Sequence, residues 1–255
     1  MYQDLRDKVV VVTGGASGIG EAVVRYLVTI GARVCVADAN QTLGEALVAE
    51  LSSEERVRKI SFAAVDVANE DAVRSLIATV IDDFGALHGA VNCAGLVGAP
   101  CNFEEIELEN WQRVIDVNLT GVFLCMKHQL KHMKAQNSGT IVNVSSGAGL
   151  VPAPFMSMYS ASKHGVLGLT KTAAMENIKS SIRVNAVLPG STRTPLLEDT
   201  IAGNASLEKV VLASIPCGRM GAPDEIANGI VWLLSDESRY VNGHSLIIDG
   251  GTLCR

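Results

Sequence analysis

Lys8-Val-Val-Val-Val-Thr13-Gly14-Gly-Ala-Ser17-Gly18-Ile19-Gly20 decides the architecture. Its β-branched run is short, continuous and without polar alternation, the pattern of a central parallel strand covered on both faces. It breaks into a glycine-rich turn, and apolar residues then recur at helical spacing through Ala22, Val23, Tyr26, Leu27 and Ile30 before Gly31 closes the helix. Bare backbone at Gly14, Gly18 and Gly20 lets a pyrophosphate approach and aims the helix N-terminus at it. A glycine-rich turn alone says little. Between a strand and a helix, in the first βαβ unit, it reads as a dinucleotide-binding turn.

Working outward, Arg33-Val-Cys-Val-Ala-Asp38 is the next strand and ends in a carboxylate. Asp38 stands about twenty residues past the glycine turn, where an acid can accept hydrogen bonds from the adenosine ribose diol. The same charge repels a 2′-phosphate, and neither 39 nor 40 is basic, so NAD is expected over NADP. The plainer alternative is a surface Asp capping the helix that starts at Gln41.

Further strands are predicted over 59–65, 87–92, 140–145, 181–188 and 245–249, with helices over 69–84, 107–117 and 118–136, one bearing Tyr159 and Lys163 that runs to about 178, and one from Pro223 to 234. Strand and helix alternate without linker or repeat. The expectation is one α/β domain over 1–255, a Rossmann-like, doubly wound, seven-stranded parallel sheet. The stretch from about 190 to 221 is bracketed by prolines and glycines and reads as an irregular substrate lid.

Met158-Tyr159-Ser-Ala-Ser-Lys163 lies on the helix after the fifth strand. Tyr159 and Lys163 are one turn apart and share a face. A tyrosine alone is a poor acid or base, with a reference pKa of about 10, but a nearby lysine cation favours the phenolate. The pair is a candidate general acid/base. By itself the spacing is common, and the bland reading is a packed Tyr beside a solvated Lys. Ser146 changes the weighting, because it ends a buried strand where α/β ligands bind. Asn118, in an apolar helical stretch, reads on its own as structural, either a satisfied core amide or one bonded to a local carbonyl.

The 255 residues are 48% hydrophobic and 19% charged, with 24 glycines, which suits a filled core with many tight turns. A net charge of −6 argues against nucleic acid and anionic membranes as partners. No apolar run approaches a spanning length, and the first eight residues are polar. Six cysteines, several inside apolar runs and none in C-x-x-C spacing, read as reduced thiols of a cytoplasmic protein. His128 and His132 lie i, i+4, but Lys127, Gln129, Lys131 and Lys134 around them suggest a solvated face, and no metal is assigned.

Thr13 through Gly20, Asp66-Val67, Asn92-Cys-Ala-Gly95, Asn118, Ser146, Tyr159-x-x-x-Lys163 and Pro189-Gly190 together resemble the short-chain dehydrogenase/reductase family, across nearly the whole chain. The resemblance implies reversible oxidation of a secondary alcohol to a ketone. Tyr159 would be the acid/base, Lys163 would tune it and hold the nicotinamide ribose, and Ser146 would bind the substrate oxygen. Asn118 would anchor a proton relay to Lys163. Gly14, Ser17, Gly18, Ile19, Gly20, Asp38, Asp66, Val67, Asn92, Ala94 and Gly95 would line the cofactor, with Pro189, Gly190, Thr192 and Thr194 at its nicotinamide end. Cys93 stands where Asn is frequent, and Thr192 where a branched apolar residue is usual. A homotetramer, or a homodimer, is implied as well.

Leu96, Val97, Leu150, Val151, Phe155, Met156, Leu196 and Leu197 are the candidate substrate contacts. They favour a hydrophobic, cyclic small molecule such as a terpenoid or steroid-like alcohol. An acyl-carrier or small-ketone reductase is the enzymatic alternative, against which Asp38 and the acidic balance count. A non-catalytic NAD(H) sensor or scaffold is the alternative of another class.

Overall fold

The computed structural model describes residues 2–53, 59–203 and 205–254. Strands β1 (Val9–Thr13), β2 (Arg33–Asp38), β3 (Lys59–Ala64), β4 (Gly89–Asn92), β5 (Gly139–Val144), β6 (Ile182–Pro189) and β7 (Ser245–Ile248) form one sheet. Its order is β3-β2-β1-β4-β5-β6-β7, and every pairing is parallel. The helices are α1 (Gly18–Thr29), α2 (Gln41–Ser52), α3 (Glu70–Phe84), α4 (Leu108–Ile115), α5 (Gly121–Ala135), α6 (Ser157–Asn177), α7 (Pro195–Ile201), α8 (Ala205–Ala213) and α9 (Pro223–Leu234).

The valines of β1 show why it reads as an unbroken apolar run. Val9 and Val11 pack with α3, α5 and α6 on one face of the sheet. Val10 and Val12 pack with α1, α2 and α9 on the other. Successive side chains alternate faces, and both faces are covered by helices. Winding proceeds from β1 through β2 to β3 on one side, then returns to lay β4 on the other side of β1. At that reversal the loops leaving β1 and β4 diverge and open a crevice beyond the strand ends. A Cβ on Gly14 would come within 2.8 Å of Ala94 Cα, so the two loops pack backbone to backbone there.

Two predicted features differ. The helices expected over 107–117 and 118–136 are joined without a break through a π-helical turn, Asp116–Thr120, in which the Gly121 N–H reaches the Asp116 carbonyl. Such a turn accommodates one extra residue within a helix. The stretch from 190 to 221 is not irregular, since it contains α7 and α8. The Thr194 hydroxyl caps α7 by accepting from the Leu197 N–H at 3.4 Å, and Pro195 occupies the first turn. A proline there starts a helix as readily as it ends one. Ile201, Ile215 and Met220 form a small core of their own beneath these helices. No described helix is long and apolar enough to cross a membrane.

Candidate active site

Tyr159 and Lys163, near the start of α6, face a cleft of about 780 Å³ beyond the strand ends, with Ser145 and Ser146 at the exit of β5. Ser145 Oγ donates to the Lys163 carbonyl at 2.9 Å and is buried. Ser146 Oγ accepts from the Ala148 N–H at 3.1 Å, and its side chain lines the cleft beside the Tyr159 phenol, whose pKa it lowers. One serine therefore ties β5 to α6 while the next faces the tyrosine. A Cβ on Gly149 would lie 2.7 Å from Ser145 Oγ and 2.8 Å from the Lys163 carbonyl, so only glycine permits this approach. Lys163 Nζ donates to the Val144 carbonyl at 3.0 Å and sits 5.6 Å from the centre of the Tyr159 ring.

Burial pushes the Lys163 amine down to about 8. Burial also raises the Tyr159 phenol, and Ser146 pulls it back. The sequence reading weighed only the lysine. In the folded chain desolvation is the largest influence on both groups, because each charged form loses water on entering the cleft.

Asn118 lies fully buried in the π-turn and does not line the cleft. Its Oδ1 accepts from the Leu96 N–H at 2.8 Å, and its Nδ2 donates to the Leu96 carbonyl at 2.8 Å and to Ser162 Oγ at 3.2 Å. The amide thus clamps the loop leaving β4 against α6, one residue from Lys163. A Cβ on Gly95 would lie 3.3 Å from Asn118 Oδ1 and 3.5 Å from Lys163 Nζ, so the three residues converge.

The same cleft is lined by Gly14, Ser17, Gly18, Ile19, Asp38, Asp66, Val67, Ala94, Gly95, Pro189, Gly190, Thr192 and Thr194. The residues fit a dinucleotide. Side-chain-free backbone at Gly14 and Gly18 flanks the α1 N-terminus, which favours an anion. Asp38 is fixed by the Ala16 N–H at 3.0 Å and the Asn40 N–H at 2.9 Å. It does not cap α2, because Asn40 does so by accepting from the Leu43 N–H at 3.1 Å. Among the described lining residues the only cation is Lys163. Thr192 satisfies its hydroxyl on the Gly190 carbonyl at 3.0 Å. Burial raises the Cys93 thiol to about 11, which leaves it protonated at neutral pH.

Several candidates lie elsewhere. Gly20 packs beneath the turn, where a Cβ would overlap the Gly14 carbonyl, and does not face the cleft. Asn92 is buried under it, donating to Asn143 Oδ1 at 2.8 Å and accepting from Gln129 Nε2 at 2.8 Å. Gln129, read as part of a solvated face, is completely buried. His128 packs its Nε2 3.2 Å from Glu70 Oε1 on α3, so that face is an interhelical contact. Leu150 and Phe155 are 44% and 59% exposed and lie outside the cleft. Leu96, Val97, Val151, Met156, Leu196 and Leu197 do line it, with Ile201, Leu207, Val211, Thr252 and Leu253, which were not candidates. Leu253 follows the last strand, where periodicity carries no signal; a Cβ on Gly147 would touch it at 3.7 Å. No group of three or more His, Cys, Asp or Glu able to hold a metal occurs among the described residues.

A profile of the family described as Enoyl-(Acyl carrier protein) reductase matches residues 14–252. A 2,5-dichloro-2,5-cyclohexadiene-1,4-diol dehydrogenase of Sphingobium indicum is 43% identical, covering 97% of this chain and 98% of the relative. A cyclohexanol dehydrogenase of an Acinetobacter species is 37% identical, covering 98% of this chain and 96% of the relative. The solved structure of a short-chain type dehydrogenase/reductase from Mycobacterium ulcerans matches with a TM-score of 0.93 at 32% identity, over 98% of this chain and 91% of that one.

Proposed function

The chain belongs to the short-chain dehydrogenase/reductase family, and on that premise we propose that it is an NAD-dependent enzyme oxidising an alicyclic secondary alcohol to its ketone. The observation that carries the reading is that Tyr159, Ser146 and Lys163 come together on the wall of one predominantly apolar cleft. NAD, when bound, supplies the hydride acceptor. The chain's own residues manage the proton. Ser146 orients the alcohol oxygen toward Tyr159, and the Tyr159 phenolate takes the hydroxyl proton. Lys163 in its cationic form favours the phenolate. Asn118 acts by fixing the Leu96 loop and α6 around Lys163.

Gly14, Ser17, Gly18 and Ile19 would hold the pyrophosphate, and Asp66 and Val67 the adenine. Asp38 would accept from the adenosine ribose diol, and the absence of a lining Arg or Lys beside it supports NAD. Leu96, Val151, Met156, Leu196, Leu197 and Leu253 offer an apolar surface suited to a saturated ring. That fits the two relatives named for cyclohexanol and a cyclohexadiene diol. A homotetramer remains the expected assembly, supported by exposed Phe123 on α5, Met175 on α6 and Ile247 on the edge strand β7.

The matching profile's description keeps an acyl-carrier reductase as the second reading. The test is reduced-cofactor formation from cyclohexanol and bulkier alicyclic alcohols, with NAD and NADP in parallel. Turnover preferring NAD by at least about tenfold is expected. Turnover with NADP alone would overturn the cofactor assignment. Turnover of acyl-carrier substrates alone would establish the second reading.

A further inference from the structure

A second cavity, of about 630 Å³, opens at the other end of the sheet and shares no residue with the cleft. The segments entering β1, β4, β5 and β6 wall it, with the chain that follows α9. Arg183 is its half-buried cation. The guanidinium donates to the carbonyls of Ser235 at 3.0 Å and Val241 at 3.3 Å and to Thr140 Oγ1 at 3.3 Å, all neutral oxygens. Lys8 and Arg239 line the same cavity and are exposed. Among the described residues, no carboxylate pairs with any of these three cations. Burial lowers the proton affinity of the Arg183 guanidinium, and the charges of Asp236 and Asp4 nearby offset this in part without a direct ion pair.

The facing groups set the charge of an occupant. Asp4 and Asp236 also line the cavity, and Asp4 Oδ2 is engaged by the Asp236 N–H at 2.8 Å. His88 Nδ1 accepts from the Val9 N–H at 3.0 Å, which puts the ring proton on Nε2. Burial and the nearby Lys8 and Arg33 lower the His88 pKa, so the ring is a neutral donor at pH 7. Three cations against two carboxylates leave one positive charge, in a chain whose net charge is −6. Leu5, Val10, Ile182 and Leu234 supply apolar wall.

We propose that this cavity is a second ligand site that binds a small organic monoanion, a carboxylate on an apolar body, through Arg183, Lys8 and Arg239. The charge left over matches a single carboxylate, and charge-assisted hydrogen bonds to it would be the strong contacts. The apolar wall selects a ligand with a hydrocarbon body over a bare inorganic ion.

Calorimetric titration of benzoate, and of its uncharged analogue benzamide, into the full chain and into Lys8→Gln/Arg239→Gln tests this. The two replaced side chains are exposed, so the variant folds, and its alcohol oxidation should equal that of the parent. Benzoate is expected to bind without displacing NADH, to bind at least about tenfold more weakly to the variant, and to outcompete benzamide. Three results would overturn the proposal: benzamide binding as tightly as benzoate, unchanged benzoate affinity in the variant, or no benzoate binding at millimolar concentration.

Discussion

Tyr159 is pulled in two directions, and the pull sets a pH dependence. Burial favours its protonated form, while Ser146 favours the phenolate that must receive the alcohol proton. Alcohol oxidation should therefore rise with pH as Tyr159 ionises. Ser146→Ala removes the hydroxyl that lowers the phenol, so the rising limb of kcat/KM should move to higher pH; an unmoved limb would show that Ser146 does not tune Tyr159. Lys163 has a folded pKa of about 8 against an ordinary 10.5. Below 8 the lysine is charged in both states and its burial is fully destabilising. Between 8 and 10.5 the unfolded chain binds the proton the native chain lacks, so stability rises with pH across that window. Lys163→Met should accordingly gain about 1–3 kcal/mol at pH 7, visible as a higher Tm, while losing activity, and the gain should shrink toward pH 10. At Asp38 the expectation concerns choice of cofactor. Asp38→Ala should raise KM for NAD by about tenfold and narrow the preference over NADP, as parallel kinetics would record. Residues such as Tyr159, Lys163 and Asp38 were legible because helical spacing and strand ends fix where they point. The partners of Asn118 and Asn92 were not. Asn118 finds its partner 22 residues away, and Asn92 finds Gln129 37 residues away, pairings that no local pattern encodes.

At the scale of elements, the carboxyl ends of β4 and β5 are joined by a buried amide chain. Gln129 reaches Asn92, Asn92 reaches Asn143, and Asn143 donates to Thr170 Oγ1 at 2.9 Å. Each of these groups is out of contact with water and depends on the next. Gln129→Leu leaves the Asn92 amide short of partners and should cost about 1–3 kcal/mol in denaturant unfolding. A loss near zero would mean that the network contributes little beyond packing. The strands themselves were readable because apolar runs, broken by glycine, admit few alternatives. By contrast α7 was not, because Pro195 can mark either an ending or a first turn. The hydroxyl of Thr194 decides in favour of the latter. Even the π-turn left no periodic trace, since one inserted residue shifts a helical pattern by less than a sequence window can resolve.

For the whole molecule, the parallel sheet separates two ends with different chemistry. The carboxyl ends of the strands hold a predominantly apolar cleft with Tyr159 and Lys163; the amino ends hold the cation-lined cavity around Arg183. Covering both faces of the sheet with helices leaves these ends as the places where polar backbone and side chains gather. The most direct test of the catalytic account is a rapid-mixing measurement of NADH formation from an alicyclic alcohol that the parent enzyme turns over, at saturating NAD, for the parent and for Tyr159→Phe. NADH affinity is measured beside it. The account predicts a loss of about 10²-fold to 10⁴-fold or more in the chemical step with NADH affinity preserved. A Tyr159→Phe enzyme that transfers hydride at the parent rate would contradict it.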